Sequence, residues 1–141
     1  MDSCLKLLRK SLPYYVLSAA IAGADLVIKS MADRDRVHFK GTIRNSGFAG
    51  SRMEAKPERV AFISALSTGM LFCLLPFIKG KIRRLGYALM LGGGMSNTIE
   101  RLRKRYVVDY IPLGKYVYNI GDFSIFAGAG ITTAALIKRE S

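Results

Sequence analysis

Four apolar blocks separated by basic connectors constrain this chain more than any other feature. The blocks cover residues 12–31, 60–78, 85–102 and 118–137. A helix needs about 20 mainly apolar residues, with a range of about 17–25, to cross a hydrocarbon core. The second and fourth blocks meet that length comfortably. The third is short and glycine-rich, and reaches Leu102 through Arg101, whose long stem can carry its charge to the interface. Half of the chain is hydrophobic, yet its formal net charge is +12. A nucleic-acid binder with that charge would spread its apolar residues as amphipathic stripes. Here they fall in blocks, so the Lys and Arg residues are read as meeting membrane lipid head groups, and no nucleic-acid partner is expected. The fold class expected is an all-α integral membrane protein, residues 1–141 forming one domain of four transmembrane helices with a small β-element on the membrane surface.

The β-element is expected over about residues 36–59, a connector too long for a simple turn. Val37, Phe39 and Ile43 alternate with His38, Lys40, Thr42 and Arg44, the period of a half-buried strand. Asn45-Ser46-Gly47 then supplies turn chemistry. A removable signal peptide is an alternative reading of the first block. Asp25 and Lys29 speak against it, because they occupy the place where small residues should mark a cleavage site.

Orientation follows from the density of basic residues. The connector KGKIRR carries Lys79, Lys81, Arg83 and Arg84 without an acid, the N-terminal segment carries Lys6, Arg9 and Lys10, and the C-terminal segment carries Lys138 and Arg139. These three segments are expected on the cytoplasmic side, with both termini inside. The other connectors hold more basic residues in total, Arg101, Arg103, Lys104 and Arg105 among them. Density rather than number therefore decides the expectation.

The chemistry-bearing residues are few. Cys4 and Cys73 are the only cysteines and do not suggest a disulfide; His38 is the only histidine. That leaves no metal site and no Ser/His or Cys/His nucleophile pair to consider. Ser30 beside Lys29 does not make a Ser–Lys pair, since adjacent helical residues do not face each other. The carboxylates remain. Asp109 and Asp122 each lie beside the end of an apolar segment. There a charge is costly, roughly 2.5–3.5 kcal/mol at a helix centre and less at the interface. Two acids held close can divide acid and base roles, because like charges cannot easily both ionise. The plainer reading of Asp122 is a helix-start acid with Asn119 as its N-cap, and that of Asp109 an acid neutralised by Arg101 or Arg105. Asp25 and Lys29, four apart, read as an ion pair on one helix face that braces the site or the β-element. Gly92, Gly93 and Gly94 read as a packing seam, while packing and function stay open for Asn97. Asn45, Asn97, Arg101 and Asn119 are candidates to position a substrate backbone or to hold the aspartates, with lipid phosphate a second partner for Arg101.

Taken together these motifs resemble the lipoprotein signal peptidases, the type II signal peptidases of bacterial membranes. GGGMSNTIERLRKRYVVDYI is similar to the family's glycine-rich, Asn-containing third helix and the Arg and Val-Val-Asp motif that follows. YNIGDFSI is similar to its Asn-x-Ala-Asp motif, DLVIK to its Asp-x-x-x-Lys motif, and NSGFA, with Asn45 and Gly47, to its Asn-x-Gly-x-Ala motif. Glu100 stands where the family usually has Asp, Ser96 where it has Gly, and Gly121 where it has Ala. The loop between the two aspartates is shorter than is typical.

The resemblance implies that Asp109 and Asp122 form a catalytic dyad. It implies a membrane aspartic endopeptidase that removes the signal peptide of a prolipoprotein just before its diacylglyceryl-modified cysteine. Four transmembrane helices, an extracytoplasmic β-cradle, a bacterial cytoplasmic membrane and no metal or organic cofactor are further implications. Two other readings stand beside it. One is a catalytically inactive relative that binds lipoprotein precursors. The other is a small carrier whose intramembrane acids bind protons or cations, which should show repeat symmetry or acids deep in its spans.

Overall fold

The computed structural model describes residues 2–34, 41–47 and 56–140. Within them the chain forms α1 (Asp2–Asp33), β1 (Ile43–Asn45), α2 (Pro57–Leu74), α3 (Lys81–Lys104), β2 (Val107–Asp109), β3 (Ile111–Leu113), β4 (Tyr116–Tyr118) and α4 (Ile120–Glu140), with a 3-10 turn at Leu75–Phe77. Among the described residues three stretches are long and apolar enough to cross a membrane: Leu5–Asp33, Pro57–Phe77 and Ile120–Lys138. The sequence points to four. The third helix exists, but Lys81, Arg83 and Arg84 open it and Glu100, Arg101, Arg103 and Lys104 close it, which shortens its apolar middle.

Helix α3 is the hub, packing most extensively on α4, then on α1 and α2. Its three consecutive glycines explain how one helix can serve three neighbours. Successive residues point about 100° apart around a helix. A Cβ on Gly92 would lie 2.9 Å from the Ser18 carbonyl of α1, and one on Gly94 would lie 3.1 Å from the Thr68 hydroxyl of α2. One on Gly93 would collide with the Gly121 carbonyl of α4. The expected seam is thus three seams, one per partner helix. Hydroxyls add bonds across them: Ser18 Oγ donates to Ala88 O at 2.9 Å, Ser124 Oγ to Leu89 O at 2.7 Å, and Thr68 and Thr98 pair at 2.9 Å.

The elements end where local chemistry tells them to. Pro57 fills the first turn of α2, where its missing N–H costs nothing, and Glu58 meets the helix dipole. Arg105 closes α3 in the left-handed conformation, φ 67°, with its N–H on Arg101 O at 3.1 Å. Two short antiparallel ladders follow at that end of the bundle. β1 pairs with β2 in the register Ile43↔Asp109, Arg44↔Val108 and Asn45↔Val107. β3 pairs with β4, and Gly114 with φ 62° supplies the positive first position of a two-residue hairpin turn.

Several boundaries differ from the sequence reading, those of α2 and α3 by a few residues at each end. α1 extends beyond 12–31 in both directions, because the charged residues flanking an apolar block do not themselves stop a helix. α4 starts at Ile120 and leaves Tyr118 in β4; the apolar run counted over 118–137 merges the end of a strand with the start of a helix. Hydropathy hides the hairpin β3–β4 for the same reason. Of the expected outer strand, Val37, His38, Phe39 and Lys40 lie outside the described residues. Ile43 is exposed and Asn45 is the inward residue of β1, so the strand turns an amide rather than an apolar side chain to the bundle.

Candidate active site

The two aspartates come together from opposite ends of the hairpin segment. Asp109 ends β2 and Asp122 sits in the first turn of α4. Tyr110 N donates to Tyr118 O at 2.9 Å, which folds the segment back and brings Asn119 beside Asp109. Val108 and Tyr110 pack with Ala32, against Ile28, Tyr106, Ile111 and Ile120, in the apolar cluster beneath. Asp109 is therefore held by backbone on both sides and is almost fully buried.

Asn119 joins the two acids. Its Oδ1 accepts from Asp122 N at 2.9 Å, while Asp122 Oδ2 accepts from Asn119 N at 3.2 Å, the reciprocal pair of a helix cap. Its Nδ2 donates to Asp109 Oδ1 at 2.6 Å. The capping role read from the sequence and the link to Asp109 are thus both present in one side chain. Asn45 Nδ2 donates to Asp109 Oδ2 at 3.1 Å, and Asn97 Nδ2 donates to Asp122 Oδ1 at 3.0 Å. All four carboxyl oxygens accept an N–H, three from asparagine amides and one from backbone. That set of donors satisfies two buried acids without placing a cation directly on either in these bonds.

Each amide is itself fixed by what holds its oxygen. Gly47 N donates to Asn45 Oδ1 at 3.0 Å, Asp122 N to Asn119 Oδ1, and Lys29 Nζ to Asn97 Oδ1 at 2.6 Å. Gly47 acts through its backbone on both sides, because its carbonyl accepts from Arg101 at 3.3 Å. Arg101 also donates to Ser64 at 3.2 Å, tying α3 to α2 and to the turn after β1. Its charge lies within electrostatic reach of both aspartates and Glu100.

Burial, the Asp122 charge adding to it and the Asn45 and Asn119 amides opposing it, pushes the Asp109 carboxyl up to about 6. The Tyr110 phenol is pushed up by burial and by its hydrogen bond to Asp25, so it stays a neutral donor. It donates to Asp25 Oδ1 at 2.8 Å and accepts from Ile120 N at 3.2 Å.

Asp25 and Lys29 pair at 2.8 Å, both fully buried, as their spacing indicates. Ser96 Oγ donates to Asp25 at 2.6 Å and accepts from Lys29 at 3.0 Å. Glu100, absent from the residues singled out by sequence as supporting the site, completes this cluster. It lies 3.6 Å from Lys29, pairs with Lys104 at 3.0 Å and accepts from Val108 N at 2.9 Å. Lys104 continues to Asp33 at 3.1 Å, and Asp33 to Arg44 on β1 at 2.9 Å. The signal present in the sequence is the four-residue spacing of Glu100 and Lys104; the link to Asp33 needs three elements brought together.

Comparisons with known proteins agree on one family. A family model described as signal peptidase (SPase) II matches residues 16–138. The chain is similar to a lipoprotein signal peptidase of Francisella tularensis subsp. novicida (strain U112), 28% identical over 163 aligned positions that cover 97% of this chain and all of the relative. It is 30% identical over 98 residues to a lipoprotein signal peptidase of Caldicellulosiruptor bescii, covering 68% of this chain and 65% of that one. Its fold is similar to a bacterial membrane enzyme solved by the in meso method at 2.3 Å resolution, with a TM-score of 0.79, 20% identity, and coverage of 92% of this chain and 90% of the other.

Proposed function

Because the chain belongs to the signal peptidase II family, a family of membrane aspartic proteases, we propose that Asp109 and Asp122 are its catalytic pair and that it cuts prolipoproteins just before a diacylglyceryl-modified cysteine. The observation that carries the proposal is the bridge of Asn119 to both carboxyls, with an N–H on each of the four oxygens. Such a cradle holds the two acids in fixed mutual geometry and leaves each oxygen a second lone pair for a proton or a water. Two acids held in one buried cradle do not readily both ionise, so the pair keeps one proton. This is the state in which one carboxylate can act as base and one carboxyl as acid.

The reaction follows from those roles. Asp122, at the positive end of the α4 dipole, draws a proton from water as the oxygen attacks the scissile carbonyl. Asp109 gives its proton to the carbonyl oxygen, forming a neutral tetrahedral diol. Collapse of the diol breaks the C–N bond, the leaving amine takes the proton held by Asp122, and the diol proton returns to Asp109. No covalent bond to the enzyme forms.

The finer membrane arrangement belongs to the same proposal. All four helices span, the β-strands and the aspartates face the outer interface, and the basic end with Lys6, Arg9, Lys10, Lys79, Lys81, Arg83, Arg84 and Lys138 faces the cytoplasm with both termini. Residues 1–141 act as one peptidase domain. The carrier reading has less to support it, since the acids cluster at one end of the bundle.

The test is cleavage of a diacylglyceryl-modified prolipoprotein by the purified protein in bilayer, alongside Asp109→Asn and Asp122→Asn. Cleavage before the lipidated cysteine, lost in either folded variant, is the expected result. Binding of precursor without cleavage by the unmodified protein would overturn the catalytic assignment and identify an inactive relative.

A further inference from the structure

We propose that Lys29 is a positioning residue for the carboxyl pair and that it acts through the amide of Asn97. An ion pair with Asp25 accounts for one of its contacts, and not the shortest. Lys29 Nζ lies 2.6 Å from Asn97 Oδ1, 2.8 Å from Asp25 Oδ2 and 3.0 Å from Ser96 Oγ. Three N–H bonds thus meet three acceptors, with Glu100 Oε2 farther at 3.6 Å. An ammonium only donates, so it can face only the oxygen end of a carboxamide. The N–H2 end of Asn97 is thereby turned to Asp122 Oδ1, at 3.0 Å. A flipped amide would set its N–H2 against the ammonium and its oxygen against the carboxylate, two repulsions in place of two bonds.

The three asparagines differ in what pins them. Asn45 is held by Gly47 N and Asn119 by Asp122 N, both backbone groups. Asn97 is pinned by a side chain, that of Lys29, which is fully buried and held by partners on α1 and α3. Ser96 accepts from Lys29 and donates to Asp25, which fixes the ammonium laterally. Tyr110 donates to Asp25 and accepts from Ile120 N, which ties the same cluster to the start of α4, two residues before Asp122. Lys29 therefore sets the direction of a donor it does not itself carry.

This inference rests on the peptidase reading for its kinetic test and on the amide itself for a second readout. In the charge-balanced variant Asp25→Asn/Lys29→Met, kcat should fall roughly tenfold to a hundredfold, the range for losing one hydrogen bond to a charged group, with KM within about twofold. Adding Asn97→Ala to that background should cost less than about threefold more, because the amide is already undirected. Equal effects of Asn97→Ala in the two backgrounds, or unchanged kcat in the folded double variant, would overturn the proposal. Asn97→Asp leaves Lys29 and Asp25 untouched and replaces the donor facing Asp122 with an oxygen. It should fold and lose at least about tenfold in kcat, and activity within about threefold of the parent counts against the idea. The side-chain amide resonances of Asn97 decide the matter without turnover. They should shift on Asp122→Asn in the otherwise unmodified protein and lose that response in Asp25→Asn/Lys29→Met; a response retained in full overturns it. A protein that cleaves no prolipoprotein would sink the peptidase reading and leave this readout to judge Lys29.

Discussion

Asn119 places its side-chain amide 2.6 Å from Asp109 while its own backbone N–H and side-chain oxygen close a reciprocal cap with Asp122. One residue thus starts a helix and spaces two acids. The two jobs use different atoms, so substitution can separate them. Asn119→Ser keeps a good cap oxygen but has no second donor, and Asn119→Ala loses both. Thermal unfolding in detergent should place Asn119→Ala about 0.5–2 kcal/mol below Asn119→Ser, the usual worth of a cap. Both should lose activity together, by more than about tenfold, as expected when a hydrogen bond to a charged group is removed. Near-normal turnover by Asn119→Ser would show that the bridge to Asp109 is dispensable.

Titration of Asp109 is the second expectation. Its carboxyl binds a proton more tightly in the folded protein, about 6, than its ordinary value of 3.8. Its contribution to stability is therefore fully present below about 3.8 and is lost as pH rises through about 6. If Asp109 is the proton donor, kcat/KM should decline as pH rises above about 6; a limb that rises through the same pH assigns it as base instead.

The Asp122 charge helps hold Asp109 up. Asp122→Asn should accordingly move the Asp109 carboxyl back toward 3.8, although burial keeps part of the shift. Carbon-13 chemical shifts of the Asp109 carboxyl against pH measure this directly. An unmoved midpoint would mean that the two groups do not feel each other.

Glycines of the hub helix should differ in tolerance. Gly93→Ala drives a methyl into the Gly121 carbonyl of α4, a backbone atom that cannot step aside. Overpacking of that kind costs about 1–3 kcal/mol. It should also disturb the turn that carries Asp122. Gly94→Ala meets only the Thr68 side chain, at 3.1 Å, and should stay within about 1 kcal/mol of the parent. Equal destabilisation of the two in a denaturant titration would contradict the three-seam packing.

The outer ion pair should matter little. Arg44 binds Asp33 at 2.9 Å but its side chain is 64% exposed. Exposed pairs contribute about 0–1 kcal/mol. Arg44→Ala should unfold within about 0.5 kcal/mol of the parent, whereas Lys104→Met, which strips a partner from both Glu100 and Asp33, should fall well below it in the same melt.

Much of the protein is legible in its amino-acid order alone. Apolar block length puts helices at the right places, because water excludes such runs wherever the rest of the chain goes. The four-residue spacing of Asp25 and Lys29 indicates their ion pair, and the Asn119–Asp122 spacing indicates the cap, since both depend only on helix geometry. Asp109, Asp122, Asn45, Asn97 and Asn119 stand out through their motifs, and they converge on one cradle. Hydropathy cannot separate Tyr118 from the helix that follows, because a short strand and a helix start share the same apolar count.

What the tertiary structure alone decided is direction. A sequence says that an amide is present; only packing says which end of it faces which group. Lys29 reaches Asn97 across 68 residues, Tyr110 reaches Asp25 across 85, and Glu100 lies over the N–H of Val108. The bond from Lys29 to Asn97 exists because α3 packs closely on α1, where Gly92 leaves room for the Ser18 carbonyl. Spacing along a chain fixes neighbours within one helix turn. Whether two acids become a pair is settled by the groups that hold their oxygens, and those come from β1, from α3 and from the residue that opens α4.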